Sequence, residues 1–162
     1  MTQTQFKEIF DKHFDDVRNY IYYRSGDKAL ATDVAQETFI KLWEKQFNIR
    51  PNKIKGLLYK ISGNLFVSDY RKQKTVMNFK LSRQPEKMEI TPEDEFQFNE
   101  LQNSYSIALG NLPEKQRVVF MMSRMEDLKY HEIAERLEIS VKAVEKRMKH
   151  ALEVLRKALN YQ

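Results

Sequence analysis

Residues 128–151, LKYHEIAERLEISVKAVEKRMKHA, carry the side chains best suited to grip another molecule. Apolar Ile133, Ala134 and Leu137 recur at helical spacing, Ile139 and Ser140 interrupt, and Val141, Val144, Met148, Ala151, Leu152 and Leu155 begin a second stripe. That pattern is a helix-turn-helix, with small Ala134 allowing a close crossing. Ser140 is suited to cap the second helix through its hydroxyl, with Ile139 packing just before it. With the second stripe turned inward, Lys142, Glu145, Lys146, Arg147, Lys149 and His150 face outward. A mostly cationic helix edge of this kind fits phosphates and base edges in a major groove. A solvated face on a helical hairpin would carry the same charges.

Two further groups have a chemical reading. Asp33, Gln36, Glu37 and Ile40 stand at i, i+3, i+4 and i+7, on one side of a helix and away from Phe39 and Trp43. An acidic and amide patch with an exposed Ile can dock an Arg-bearing helix, although a solvated face has the same composition. Residues 41–74 hold nine Lys or Arg against Glu44 and Asp69, with Tyr59, Phe66 and Tyr70 among them. Cations interleaved with aromatic rings suit an unpaired nucleic-acid strand, by phosphate contact and base stacking. Phe66 and one of the tyrosines are expected in the core instead.

Other chemistry is not supported. There is no Cys, which excludes disulfides, thiolate catalysis and Cys-ligated zinc. His13, His131 and His150 form no metal-ligand pair at helical spacing with a carboxylate partner. No cofactor and no metal is expected. Neither a converging nucleophile, base and orienting residue nor a glycine-rich phosphate loop is present, so the chain does not read as an enzyme.

The elements that position these groups are helical, and the expected fold class is all-α: two small helical domains joined by a flexible linker, the second containing the helix-turn-helix. Phe6, Ile9, Phe10, Phe14, Val17 and Ile21 mark a first helix ending near Arg24-Ser-Gly26. Ala31, Val34, Ala35, Thr38, Phe39, Leu42 and Trp43 mark the buried face of a second. A Pro- and Asn-containing loop, residues 48–53, leads to a third over 56–74, with Leu58, Ile61 and Leu65 inward. Periodicity then fails through Pro85 and Pro92, and acidic residues accumulate. The expected division is 1–75, an acidic linker 76–99, and 100–162. Leu101, Tyr105, Ala108, Leu109 and Leu112 resume a helical stripe. Pro113 opens the next helix, whose Val118, Val119, Met122 and Met125 pack under the helix-turn-helix.

Charge follows that division. Residues 1–75 hold 14 Lys and Arg against 9 Asp and Glu, residues 76–99 hold 3 against 5, and residues 100–162 hold 11 against 9. Two basic blocks flank an acidic middle, and the formal charge of +5 favours a polyanionic partner. At 41% hydrophobic and 31% charged the chain reads as a soluble globular protein. No apolar run reaches the roughly 18 to 20 residues of a membrane span, and the N-terminus lacks a signal-peptide core. A cytoplasmic location is expected.

In order along the chain stand DVAQETF (33–39) with Trp43, LYKISGN (58–64), DYRK (69–72), LPEKQR (112–117), YHEIA (130–134) and SVKAV (140–144). Together they resemble the extracytoplasmic-function sigma factors of the bacterial sigma-70 family. The resemblance implies region 2 in 1–75 and region 4 in 100–162. It further implies that Asp33, Gln36, Glu37 and Ile40 dock on the β′ coiled coil of core RNA polymerase, with region 4 at the β flap. By position, Asn64 meets a flipped base of the minus-10 element with Asn52 and Lys53 beside it, while Asp69, Arg71 and Lys72 line the strand path. Glu145, Lys146 and Lys149 read the minus-35 element, with Lys142, Arg147 and His150 on phosphates. Promoter DNA, core polymerase and an anti-sigma factor, often membrane-bound in the family, are the implied partners. The chain itself would not be a membrane protein. Departures include Gly63 inside a helix, and Glu138 at a turn position that often holds Gly, where a left-handed conformation would be strained. The rival reading is a stand-alone DNA-binding regulator, which would use the helix-turn-helix only and grip duplex DNA unaided.

Overall fold

The computed structural model describes residues 1–46, 48–70, 77–80 and 91–159. Seven α-helices account for most of them: α1 (Gln3–Ser25), α2 (Lys28–Lys45), α3 (Ile54–Leu65), α4 (Pro92–Asn111), α5 (Glu114–Glu126), α6 (Tyr130–Leu137) and α7 (Val141–Ala158). A 3₁₀ turn, Pro51–Lys53, precedes α3, and a π-helical turn, Phe66–Tyr70, extends it. No strand occurs among the described residues.

The first module is α1 to α3. Thr2 and Gln5 form a capping box at the start of α1, and Gly26 ends it at φ +66°, a left-handed geometry that suits glycine. Asp27 then caps α2 by accepting from the Leu30 amide. Val17, Ala35, Phe39, Leu42, Ile54 and Leu58 form a core of their own, walled by Phe6, Phe10 and Phe14. Trp43, expected on the buried face, is 36% exposed and meets Phe6 edge-on at 5.2 Å.

Residues 77–80 are docked rather than loose. Phe79 is fully buried, packed against Tyr22 and under the Arg117 guanidinium at 5.3 Å. The backbone around it is bonded on both sides: the Asn78 amide donates to Gly26 O, the Phe79 amide to Ser106 Oγ, and Gln102 Nε2 to Phe79 O. Residues 92–99, expected in the linker, are instead the first two turns of α4. The start signal lies in the residues themselves: Thr91 accepts from the Asp94 amide, Pro92 occupies the first turn, and Glu93, Asp94 and Glu95 stand at the positive end of the helix dipole. Acidity there marks a helix start, and the apolar pattern fails because Phe96 and Leu101 face solvent.

The second module, α4 to α7, does not have a core to itself. A single apolar cluster runs from Tyr22, Tyr23, Leu30, Ala31, Val34 and Phe66 of the first module to Leu109, Val119, Met122, Ile133, Val144 and Met148 of the second. At its polar edge Arg117 of α5, 1% exposed, donates to five backbone carbonyls. Its Nε bonds Tyr23 O at 2.7 Å and its Nη2 bonds Arg24 O at 2.6 Å, while Nη1 reaches Leu109 O, Gly110 O and Leu112 O at 3.0–3.3 Å. These carbonyls end α1 and α4, where the negative ends of both helix dipoles favour a cation; Leu109 O also accepts from the Leu112 amide.

Arg117→Met keeps the aliphatic stem of the side chain and removes all five donors. It is expected to lower unfolding stability by about 3 kcal/mol. Urea denaturation checks this, and an unchanged midpoint would show that water replaces the guanidinium at no cost.

Candidate nucleic-acid interface

The helix-turn-helix is built from α6 and α7. The Glu138 amide donates to Glu135 O and the Ile139 amide to Ala134 O, which closes α6. Glu138 sits at φ +54°, the left-handed conformation that its turn position requires and that a Cβ disfavours. The Ser140 hydroxyl accepts from the Ala143 amide at 3.1 Å and starts α7. Val144, Met148, Ala151 and Leu155 are buried, and Lys142, Glu145, Lys146, Lys149 and His150 are exposed, with Arg147 half-buried at the edge. All six expected contact residues thus lie along one open flank of α7. His150 Nδ1 stands 4.0 Å from Glu153 at that end of the row.

The strand-reading group is partly assembled. Asn52 and Lys53 are exposed on the 3₁₀ turn, Asn64 is exposed on α3, and Asp69 is exposed on the π turn. A π turn is an irregularity frequent at functional sites, and here it continues α3 through Asp69, the first residue of the expected strand path. Arg71 and Lys72 lie outside the described residues. Of the interleaved aromatics, Tyr59 and Phe66 are buried, so neither stacks on a base in this conformation. Phe66 instead carries the Arg24 guanidinium at 4.9 Å. A Cβ on Gly63 would come within 3.1 Å of Arg24 Nη1, so this glycine gives room to that cation.

The acidic patch of α2 is open. Asp33 and Gln36 are exposed and Ile40 is 55% exposed, an apolar side chain left in solvent between polar neighbours. Glu37 is half-buried, and the Tyr70 hydroxyl donates to its Oε2 at 3.0 Å. The π turn therefore touches the α2 patch, a link that no spacing rule in the sequence shows.

A cluster at the seam between the modules was also invisible in the sequence. Arg136 of α6 meets Glu126 of α5 at 3.1 Å and Asp16 of α1 at 3.9 Å. Asp16 also meets Lys55 of α3 at 3.3 Å. The Tyr23 hydroxyl donates to the other Glu126 oxygen at 3.0 Å. Burial pushes the Glu126 carboxyl and the Tyr23 phenol above their ordinary ranges. Beside this cluster His13 is 6% exposed and its Nδ1 has no partner. Burial, then the Lys55 and Lys12 charges, hold its pKa below 6.5. Among the described residues no group of His, Asp or Glu is placed to hold a metal ion.

Known proteins share both modules. The family model for Sigma-70 region 2 matches residues 9–76, and that for Sigma-70 region 4 matches residues 107–155. The ECF RNA polymerase sigma factor SigW of Bacillus subtilis is 30% identical over 171 residues, covering 97% of this chain and 90% of its own length. The chain belongs to the sigma-70 family, in its extracytoplasmic-function group. The ECF RNA polymerase sigma factor SigE of Mycolicibacterium smegmatis is 28% identical over 152 residues, covering 92% of the chain; the match spans 59% of that relative's length. In fold, this sigma factor superposes with TM-score 0.66 and 20% identity on sigma factor RpoE of Bartonella quintana, solved in complex with the anti-sigma factor NepR, over 98% of each chain. Among its described residues no helix is long and apolar enough to cross a membrane.

The depressed His13 gives the sigma factor a pH signature. Because the folded pKa lies below the unfolded 6.5, the unfolded chain binds more protons between the two values. The His13 contribution to stability is therefore complete above pH 6.5 and is lost as pH falls through the folded value. Glu126, raised by burial, works in the opposite sense but from the carboxylate range upward. His13→Gln is expected to flatten the fall in urea midpoint between pH 7 and pH 5.5; an identical slope in both proteins would place the titration elsewhere.

Proposed function

We propose that this chain is the promoter-specificity subunit of a bacterial RNA polymerase, directing core enzyme to particular promoters and initiating transcription there. The observation that carries the reading is the open flank of α7: five exposed polar side chains and the half-buried Arg147 on a capped helix that follows a helix-turn-helix turn. Such a flank enters a major groove with Glu145, Lys146 and Lys149 at base edges and Lys142, Arg147 and His150 at phosphates.

Region 2, at residues 1–75, would supply polymerase binding through Asp33, Gln36, Glu37 and Ile40 on the β′ coiled coil. It would open the minus-10 element through Asn52, Lys53, Asn64, Asp69, Arg71 and Lys72. Residues 100–162 would form region 4, reading the minus-35 element and resting on the β flap. Residues 76–99 connect the two, with their last turns helical. Two weak readers in one chain gain affinity when a third body fixes their spacing, which is what core polymerase provides. An anti-sigma factor fits as a partner because RpoE, to which this fold is similar, was solved with one. The site of action is the cytoplasm, and the chain performs no catalysis of its own.

Run-off transcription with core polymerase on a genomic promoter pool is the deciding experiment. Transcripts from a defined promoter set are expected with the chain and not without it. Within that assay, Lys146→Ala should change preference at one minus-35 position. Arg147→Ala should weaken binding evenly across sequences and lower the salt slope by about one unit. Equal loss from both substitutions on every sequence would overturn the orientation given to α7. Glu37→Lys is expected to weaken assembly with core polymerase, read by co-elution; undiminished assembly would remove the α2 patch from that contact.

A further inference from the structure

The two flanks of the helix-turn-helix carry opposite charge. While α7 turns its cations to solvent, α6 turns Glu132 and Glu135, with Glu138 just past its end, toward the first module. Across a cleft of about 440 Å³ these three carboxylates face Asn52, Lys53, Lys55 and Gly56. The contact is close: a Cβ placed on Gly56 would lie 2.8 Å from Glu138 Oε1. Gly56 belongs to the first turn of α3, and the residue preceding that helix, Lys53, makes no side-chain capping bond. A helix start without its own cap, beside two lysines, attracts an anion. In this conformation the anion is the chain's own carboxylate.

We propose that α6 acts as an internal substitute for the DNA strand. In the closed chain Glu132, Glu135 and Glu138 cover the loop and helix start at Asn52–Gly56, and single-stranded DNA reaches that surface only when the two modules separate. The inference rests on the reading of residues 52–72 as the minus-10 surface. It adds that free and polymerase-bound chain differ in access to that surface. The seam cluster of Asp16, Arg136 and Glu126 sets the register of this cover, since Arg136 lines the same cleft as the three glutamates. Closure lowers apparent affinity by the fraction of chains that are open, so a chain nine-tenths closed binds about tenfold more weakly than its open form.

The test uses the full chain and a fluorescent single-stranded 15-mer of randomised sequence, read by anisotropy without polymerase. Glu132→Gln/Glu135→Gln/Glu138→Gln keeps the size of each side chain. The amide oxygen introduced at position 132 can still accept from the Lys129 amide, as the Glu132 carboxylate does at 3.1 Å. The control, Glu93→Gln/Glu95→Gln/Glu100→Gln on the exposed face of α4, changes net charge equally. About tenfold tighter binding is expected from the α6 set, and at most about a twofold gain from the α4 set. Equal gains would mean that net charge alone is responsible and would overturn the proposal. A second measurement does not depend on the glutamates' charge. The chain has no native cysteine, so Gly56→Cys/Glu138→Cys can be locked shut with a short bis-maleimide. The locked chain is expected to lose 15-mer binding that the same variant, capped singly with N-ethylmaleimide, retains; binding by the locked form would overturn the cover. Run-off transcription by the unmodified chain separates the two levels. If it succeeds while both binding tests fail, only the internal cover falls; if no promoter is ever transcribed, the parent reading falls and the cover with it.

Discussion

The guanidinium of Arg117 stands where two helices from different modules end. Helices α1 and α4 each leave carbonyls with no partner one turn further on, and in a buried location those oxygens need donors. One planar side chain with donors on three nitrogens supplies them all, at 2.6–3.3 Å. Burial lowers the pKa of Arg117, but an arginine starts so high that it stays charged. The ring of Phe79 closes the remaining face and keeps water out. Lysine could not take this place, because a single ammonium cannot reach carbonyls on two sides. Together with the apolar cluster around it, Arg117 fixes the angle between the modules, and the seam of salt bridges lies beyond it.

Fixing that angle decides which side of the helix-turn-helix is visible. With α5 held against α1, α6 faces the first module and α7 faces away. The cationic flank that can meet phosphates is therefore open while the carboxylates lie over the loop before α3. Exposed ion pairs such as Lys7–Asp11 are screened by solvent and do not set this arrangement. The Asp16–Arg136–Glu126 group differs because its members are mostly shielded and Glu126 accepts from both Tyr23 and Arg136. Removing one member there would leave a buried charge unmatched, which costs far more than losing a surface pair.

Much of this was legible in residue order, and the part that was not has a common cause. The ends of α1 and α2, the Ser140 cap and the inward stripe of α7 all follow from local rules, since the partners are within four residues of one another. The left-handed Glu138 was legible for the same reason. What escaped was long-range: Arg117 to Tyr23, Tyr70 to Glu37 and Arg136 to Asp16 join residues tens of positions apart, and no periodicity connects them. Residues 92–99 are a different case. Their helix-start signal, Thr-Pro-Glu-Asp-Glu, was present, but the missing apolar stripe outweighed it because this end of α4 is mostly exposed among the described residues.

The aromatic residues of the seam differ from those of the first module's own core in carrying tyrosines as well as phenylalanines. In the core private to the first module the rings are Phe6, Phe10, Phe14 and Phe39, which have no polar atom and no satisfactory state in water. Along the seam Phe66, Phe79 and Phe120 are joined by Tyr20, Tyr22, Tyr23 and Tyr59, with Tyr105 on the opposite side. A phenol buries nearly as much apolar area as a phenyl ring but carries a hydroxyl that water accepts readily. In the closed chain some of those hydroxyls are used: Tyr22 donates to Asn78 O and Tyr23 to Glu126. The Tyr59 hydroxyl lies near Arg136 but completes no hydrogen bond, a deficit that exposure to water would relieve. An interface made with tyrosine loses less on opening than one made with phenylalanine, because each exposed ring regains hydration at its hydroxyl. The first module also has a separate core, Val17, Ala35, Phe39, Leu42, Ile54 and Leu58, that the seam does not share.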